Sequence, residues 1–268
     1  MIVAEHLTYH APGGAELLRD VCCMAEAGKV TGLLGANGAG KTTLLQTLAG
    51  LIEPSTGSVT LQGKALRDMD ARTRGQTIAF VEQLSRVHWP LTVENTVALG
   101  RIPFAHSMSR LKPADYAAIE DALAACEIDY LRKRQVDTLS GGELTRVLMA
   151  RAMATHAPVL LVDEPTASLD PHHQLHAMEL LQNRSRQENT AVMVTLHDLS
   201  LMARFCDQVM VMTHGRIVAC GTPHEILAGD AIQNAYGIHF STHSIEGNTY
   251  VATLGRIVEH PETEKAAS

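Results

Sequence analysis

The run Gly35-Ala36-Asn37-Gly38-Ala39-Gly40-Lys41-Thr42 combines glycines, a lysine and a hydroxyl at the spacing of a phosphate-binding loop, G-x-x-x-x-G-K-[ST]. The glycines let the backbone curl until N–H groups from Gly35 to Thr43 point at one spot, and the helix that follows adds the positive end of its dipole. Lys41 then reaches the β- and γ-phosphates of a nucleotide, and the Thr42 hydroxyl can ligate Mg²⁺. A second chemical group closes the apolar run Val159-Leu160-Leu161-Val162, which delivers Asp163 and Glu164 at its tip. Asp163 can hold Mg²⁺ directly or through water, and Glu164 can polarise a water for in-line attack on the γ-phosphate. A third, Leu139-Ser140-Gly141-Gly142-Glu143, puts an N-capping serine and two bare glycines at a helix start, which makes another anion cradle with no lysine of its own. One chain thus carries two phosphate-binding devices and a carboxylate pair, the equipment of a nucleoside triphosphatase.

These residues need elements to hold them. Val30 to Leu34 reads as a buried strand before the loop, and Thr42 to Leu51 as a helix after it. Ile2 to Leu34 reads as strands broken by turns at Ala11-Pro12-Gly13-Gly14 and Glu26-Ala27-Gly28-Lys29. Ser58 to Leu61, Thr77 to Val81, Val159 to Val162 and Ala191 to Val194 are further strands. Between them Val93 to Leu99, Pro113 to Glu127, Ile128 to Arg134 and Glu143 to Ala154 show helical spacing. Strands interleaved with helices imply an α/β fold with a mainly parallel sheet. A strand pair is expected around Glu246-Gly247-Asn248, and the polar tail Pro261 to Ser268 is expected to be disordered.

Composition narrows the field. The 268 residues are 46% hydrophobic but only 4% aromatic, so aliphatic side chains must fill the core. The formal charge of −7 argues against nucleic acid as the partner. The sequence has no apolar run of the roughly 18 residues that span a bilayer, and its start lacks the pattern of a secretory signal, so a soluble, cytoplasmic chain is expected. The five cysteines show no C-x-x-C spacing and read as thiols of a reducing compartment. His172, His173 and His176 lack a carboxylate or cysteine to complete a metal set and read as a polar helix face.

Taken in order, these motifs resemble the nucleotide-binding subunits of ATP-binding-cassette transporters over nearly the whole chain. The resemblance implies a P-loop NTPase core with an N-terminal antiparallel β subdomain and a helical insert at about 88–140, together spanning 1–230, then a small extension at 231–260 and a flexible tail at 261–268. It implies that Tyr9 stacks on adenine and that Gln83, in Phe80-Val81-Glu82-Gln83, contacts Mg²⁺ or the attacking water. His197, in Val192-Met193-Val194-Thr195-Leu196-His197-Asp198, would sense the γ-phosphate beside Glu164, with Lys41 completing the catalytic set. Asp170, in Ser168-Leu169-Asp170, would lie at a dimer interface. In a head-to-tail dimer each ATP with its Mg²⁺ would sit between the phosphate loop of one copy and Ser140, Gly141 and Gly142 of the other. The chain departs from the family at Glu143, where Gln is common, and at Leu144-Thr145-Arg146.

The stretch His88 to Arg101 and the run Ala235-Tyr236-Gly237-Ile238-His239-Phe240 are similar to importers of iron–siderophore complexes, haem and cobalamin. That similarity implies separate integral membrane permease subunits, a periplasmic substrate-binding protein, and a peripheral place on the cytoplasmic face of the bacterial inner membrane. An iron complex is the expected cargo, with cobalamin, molybdate or an exporter role as alternatives. A soluble cassette acting on DNA or ribosomes would need coiled coils or a second cassette, and a basic surface.

Overall fold

Two sheets and a helical layer position the site. The computed structural model describes residues 1–83, 90–105 and 111–257. His88 and Trp89 of the importer-like stretch and the tail Pro261 to Ser268 lie outside the described residues. The first sheet is antiparallel, in the order β2-β1-β4-β5, from β1 (Ile2–His10), β2 (Glu16–Ala25), β4 (Thr56–Leu61) and β5 (Lys64–Ala65). The second runs β10-β9-β3-β8-β7-β6, from β3 (Val30–Leu34), β6 (Ile78–Val81), β7 (Val159–Val162), β8 (Ala191–Thr195), β9 (Gln208–Thr213) and β10 (Arg216–Gly221). Its neighbours are parallel except at the edge, where β10 returns antiparallel to β9. The sequence reading had not named β9 and β10.

Every residue of β3, β7 and β8 is buried, as expected for parallel strands covered on both faces. Their side chains alternate between two cores. Val192 and Val194 point into the core shared with the helices, while Ala191 and Met193 point into the core under the antiparallel sheet.

The helices are α1 (Lys41–Leu48), α2 (Ala71–Thr77), α3 (Val93–Ala98), α4 (Pro113–Ala125), α5 (Gly141–Ala154), α6 (Pro171–Glu188), α7 (Leu199–Phe205), α8 (Pro223–Ala228) and α9 (Ala231–Tyr236). Helices α3, α4 and α5 pack together as a helical layer. Arg101 fastens it: its guanidinium donates to Asp115 Oδ1 at 2.8 Å and to the Ala154 carbonyl at 2.9 Å, while Asp115 Oδ2 accepts from the Lys112 N–H that opens α4. Ile128 to Arg134 is not the helix expected from spacing. Glu127, at φ 53°, ends α4 in the left-handed region, and a single 3₁₀ turn, Asp129–Leu131, follows. The expected strand pair is present as β11 (Ile238–Ile245) and β12 (Asn248–Arg256). Among the described residues no helix is long and apolar enough to cross a membrane.

Candidate active site

The phosphate loop leaves β3 at Gly35, whose φ of 148° and close packing both require glycine. A Cβ there would lie 2.2 Å from the Met212 carbonyl oxygen of β9. Gly40, at φ 103°, caps α1, and a Cβ on it would lie 2.7 Å from the Leu17 carbonyl oxygen of β2. The loop is therefore wedged between the two sheets. Its helix presents free N–H groups and a positive dipole end to the same space. Lys41 is buried, and its ammonium donates to the carbonyls of Gly35 at 2.6 Å and Ala36 at 3.2 Å. Burial pulls its pKa down, and the Glu164 and Asp163 carboxylates pull it back up.

Opposite the loop, Asp163 and Glu164 leave the end of β7. The Thr195 hydroxyl organises both: it accepts from the Glu164 N–H at 2.7 Å and donates to Asp163 Oδ1 at 2.6 Å. Asp163 Oδ2 is buried and, among the described residues, has no hydrogen-bond partner. A carboxylate oxygen left in that condition is costly unless something outside the chain meets it. The Thr42 hydroxyl and the Gln83 amide would complete with it an all-oxygen donor set, the kind a hard divalent cation prefers. Glu164 sits at φ 48°, a left-handed conformation that costs about 1 to 3 kcal/mol for a non-glycine residue and clusters at functional sites. Its carboxylate is held from two sides. Gln83 Nε2 donates to Oε2 at 2.5 Å, and His197 Nε2 lies 2.6 Å from Oε1, which places the imidazole proton on Nε2 when the carboxylate is ionised.

These groups face a cavity of about 800 Å³ lined by Leu17, the loop from Ala36 to Thr43, Gln83, Glu164, His197 and Tyr236. Asn37, Gly38, Ala39, Gly40, Lys41, Thr42, Thr43, Gln83, Glu164 and His197 are thus gathered at one site, with Gly35 at its base. Asp163 lies beside it, sharing a much smaller cavity with Gln83 and Glu164. Tyr9, Ser140, Gly141, Gly142 and Asp170 do not line the main cavity. Tyr9 is half-buried in β1 against the core between the sheets. Asp170 caps α6, accepting from the His173 N–H at 2.9 Å, and His173 holds its carboxyl below the usual range. Among the described residues, His172, His173 and His176 do not gather with other side chains into a metal-holding group.

The departure at Glu143 has a local explanation. Ser140 Oγ accepts from the Glu143 N–H at 3.3 Å, and Glu143 Oε2 accepts from the Ser140 N–H at 2.8 Å, a reciprocal capping box at the start of α5. Glu143 also pairs with Arg134 at 3.2 Å, and the bonds from Ser140 keep its carboxyl ionised to lower pH.

Three site residues escaped the sequence reading. Thr195 carried one signal, a hydroxyl ending an apolar strand. Leu17 carried none. Tyr236, the last residue of α9, accepts a hydrogen bond from the Gly35 N–H at 2.9 Å, although it lies 201 residues along the chain.

Phosphate loop, carboxylate pair and a histidine against Glu164 on a mainly parallel sheet define a cassette ATPase. The chain belongs to the ABC transporter family, as one of its ATP-hydrolysing subunits; the family model for the ABC transporter matches residues 18–167. It is 39% identical over 243 residues to the hemin import ATP-binding protein HmuV of Pseudomonas putida, covering 89% of this chain and 93% of that protein. It is 40% identical over 223 residues to the cobalamin import ATP-binding protein BtuD of Halobacterium salinarum, covering 83% of this chain but only 56% of that relative's length. Among solved structures it is similar to a dimeric ATP-binding cassette in a post-hydrolysis state bound to ADP and Pi, at 25% identity and a TM-score of 0.75, covering 83% of this chain and 99% of that one.

Proposed function

We propose that this ATPase works as a head-to-tail dimer that energises import of an iron complex, with haem as the cargo, through separate permease subunits on the cytoplasmic face of an inner membrane. The observation that carries the cargo reading is the near full-length similarity to HmuV. Import of cobalamin is the second reading, favoured by the 40% identity to BtuD. A periplasmic binding protein would deliver the cargo, and no nucleic acid takes part.

Glu164 polarises the attacking water, and His197 and Gln83 hold its carboxylate in the attacking direction. Lys41 and the loop N–H groups neutralise the β- and γ-phosphates, with Tyr9 against the adenine. Thr42, Gln83 and Asp163 would hold Mg²⁺, which would supply further charge neutralisation on the phosphates. Ser140, Gly141 and Gly142 act on the nucleotide of the other copy, and Asp170 lies at the interface between copies. That separation accounts for their absence from the cavity lining of the single chain.

A mixing experiment tests the shared site. Ser140→Ala and Lys41→Ala chains should each be inactive alone. Mixed in equal amounts they should recover about a quarter of wild-type phosphate release, because half the dimers form with one of two sites intact. No recovery would refute head-to-tail sharing. Cargo is tested by uptake of haem, a ferric siderophore and cobalamin in a strain lacking the gene. Selective loss of haem uptake, restored by the wild type and not by Glu164→Gln, is expected. Selective loss of cobalamin uptake would transfer the assignment to that cargo.

A further inference from the structure

The segment from α9 to β12 touches the site at two points, and the function proposed above gives it no task. At one end the Tyr236 hydroxyl accepts the Gly35 N–H at 2.9 Å. Gly35 is buried, so this hydroxyl satisfies a main-chain donor at the point where the phosphate loop begins. At the other end the Val251 N–H of β12 donates to Ser200 Oγ at 3.0 Å. Ser200 lies in the first turn of α7, whose N-cap, Asp198, directly follows His197. Strand β12 packs along α7, and the Ile257 N–H returns to the Gly237 carbonyl at 2.8 Å, closing the hairpin onto the neighbour of Tyr236. A cavity of about 270 Å³ between these contacts is lined by His197, Ser200, Tyr236 and Val251 among others.

We propose that Tyr236 is a positioning residue which, through the hairpin β11–β12, ties the phosphate loop to the segment that carries His197. The two regions also meet through the sheet, where β3 pairs with β8 and the Leu196 N–H donates to the Leu33 carbonyl at 3.4 Å, and they both line the nucleotide cavity. The hairpin supplies a further connection, outside the sheet. Order imposed on the loop by bound phosphates is passed through Gly35, Tyr236 and β12 to α7, and so to the histidine that contacts Glu164. The link is in series, so breaking either end disconnects it. This inference rests on the assignment of the cavity as the ATP site.

The test uses the full-length chain. Tyr236→Phe keeps the ring and its packing but removes the acceptor for Gly35. It should raise the KM for ATP about fivefold, the effect of one unsatisfied donor at the loop. The kcat should stay within about twofold and the Tm within a few degrees. Ser200→Ala should raise KM in the same direction. The double variant should be no worse than the more affected single one, because both substitutions break one chain of contacts. An unchanged KM in Tyr236→Phe, or multiplying effects in the double variant, would overturn the proposal. Amide exchange in the Glu164→Gln chain gives an independent reading. ATP should slow exchange over residues 248–257, which do not touch the nucleotide cavity, and unchanged exchange there would also overturn it. If Glu164→Gln hydrolyses ATP normally, the assignment of the base fails by itself. If that variant is inactive while Tyr236→Phe has a wild-type KM, only the role of Tyr236 fails.

Discussion

Replacing Glu164 with glutamine is expected to lower ATP turnover by about a thousandfold, within the range assigned to a positioned general base. ATP binding should survive. The substitution is isosteric, the left-handed backbone at φ 48° is already imposed by the surrounding structure, and Lys41 and the loop are untouched. The new amide offers one acceptor oxygen where the carboxylate meets both Gln83 and His197, so Gln83 must turn its own amide over to keep its bond. That rearrangement should cost at most about 1 kcal/mol of stability, far less than the effect on rate. Phosphate release beside equilibrium ATP binding separates the two effects. Turnover at the wild-type rate would remove Glu164 from the role of base.

Lys41→Ala should act on binding. The ammonium now rests on the Gly35 and Ala36 carbonyls and, among the described residues, is the only fixed positive side chain in the cavity lining. Charge-assisted contacts to phosphate contribute about 1.5 to 3 kcal/mol each, so ATP affinity should fall about a hundredfold. Stability should move little or upward. Burial lowers the Lys41 pKa, which means that the charged form is less favoured in the folded chain than in the unfolded one. Its charge therefore detracts from stability below the folded pKa, and the penalty fades as pH rises through the unfolded value near 10.5. Alanine removes that pH dependence. Isothermal titration with ATP, paired with thermal melts at pH 7 and pH 10, checks both signs. ATP affinity equal to wild type would contradict the role assigned to this lysine.

The parts of the fold that were legible in sequence share one property. Strands β3, β7 and β8 are buried on both faces, so each appears as an unbroken apolar run. The motifs were legible because each is contiguous: a loop, a strand tip, a helix cap. Residues 128–134 misled because helical spacing cannot register one left-handed residue, Glu127, that ends the preceding helix. Strands β9 and β10 escaped notice although Gln208 to Thr213 is largely apolar and a His214-Gly215 turn follows. Thr195, Leu17 and Tyr236 were illegible as site residues for a different reason. Each matters through a contact with a distant part of the chain, and no local pattern encodes that.

The crowding around Gly35 and Gly40 also says something about how the molecule comes into being. The loop is pressed by the carbonyl of Met212 from one sheet and by the carbonyl of Leu17 from the other. The Tyr236 bond closes over 201 residues. Contacts of such long sequence separation form only after much of the chain has already been gathered, since loop-closure entropy opposes them until other contacts compensate. The glycine-rich segment can therefore be spelled out within eight letters yet reach its phosphate-ready curl only once both sheets have docked. The capacity to hold nucleotide is therefore expected to appear late in refolding, after the two sheets have docked.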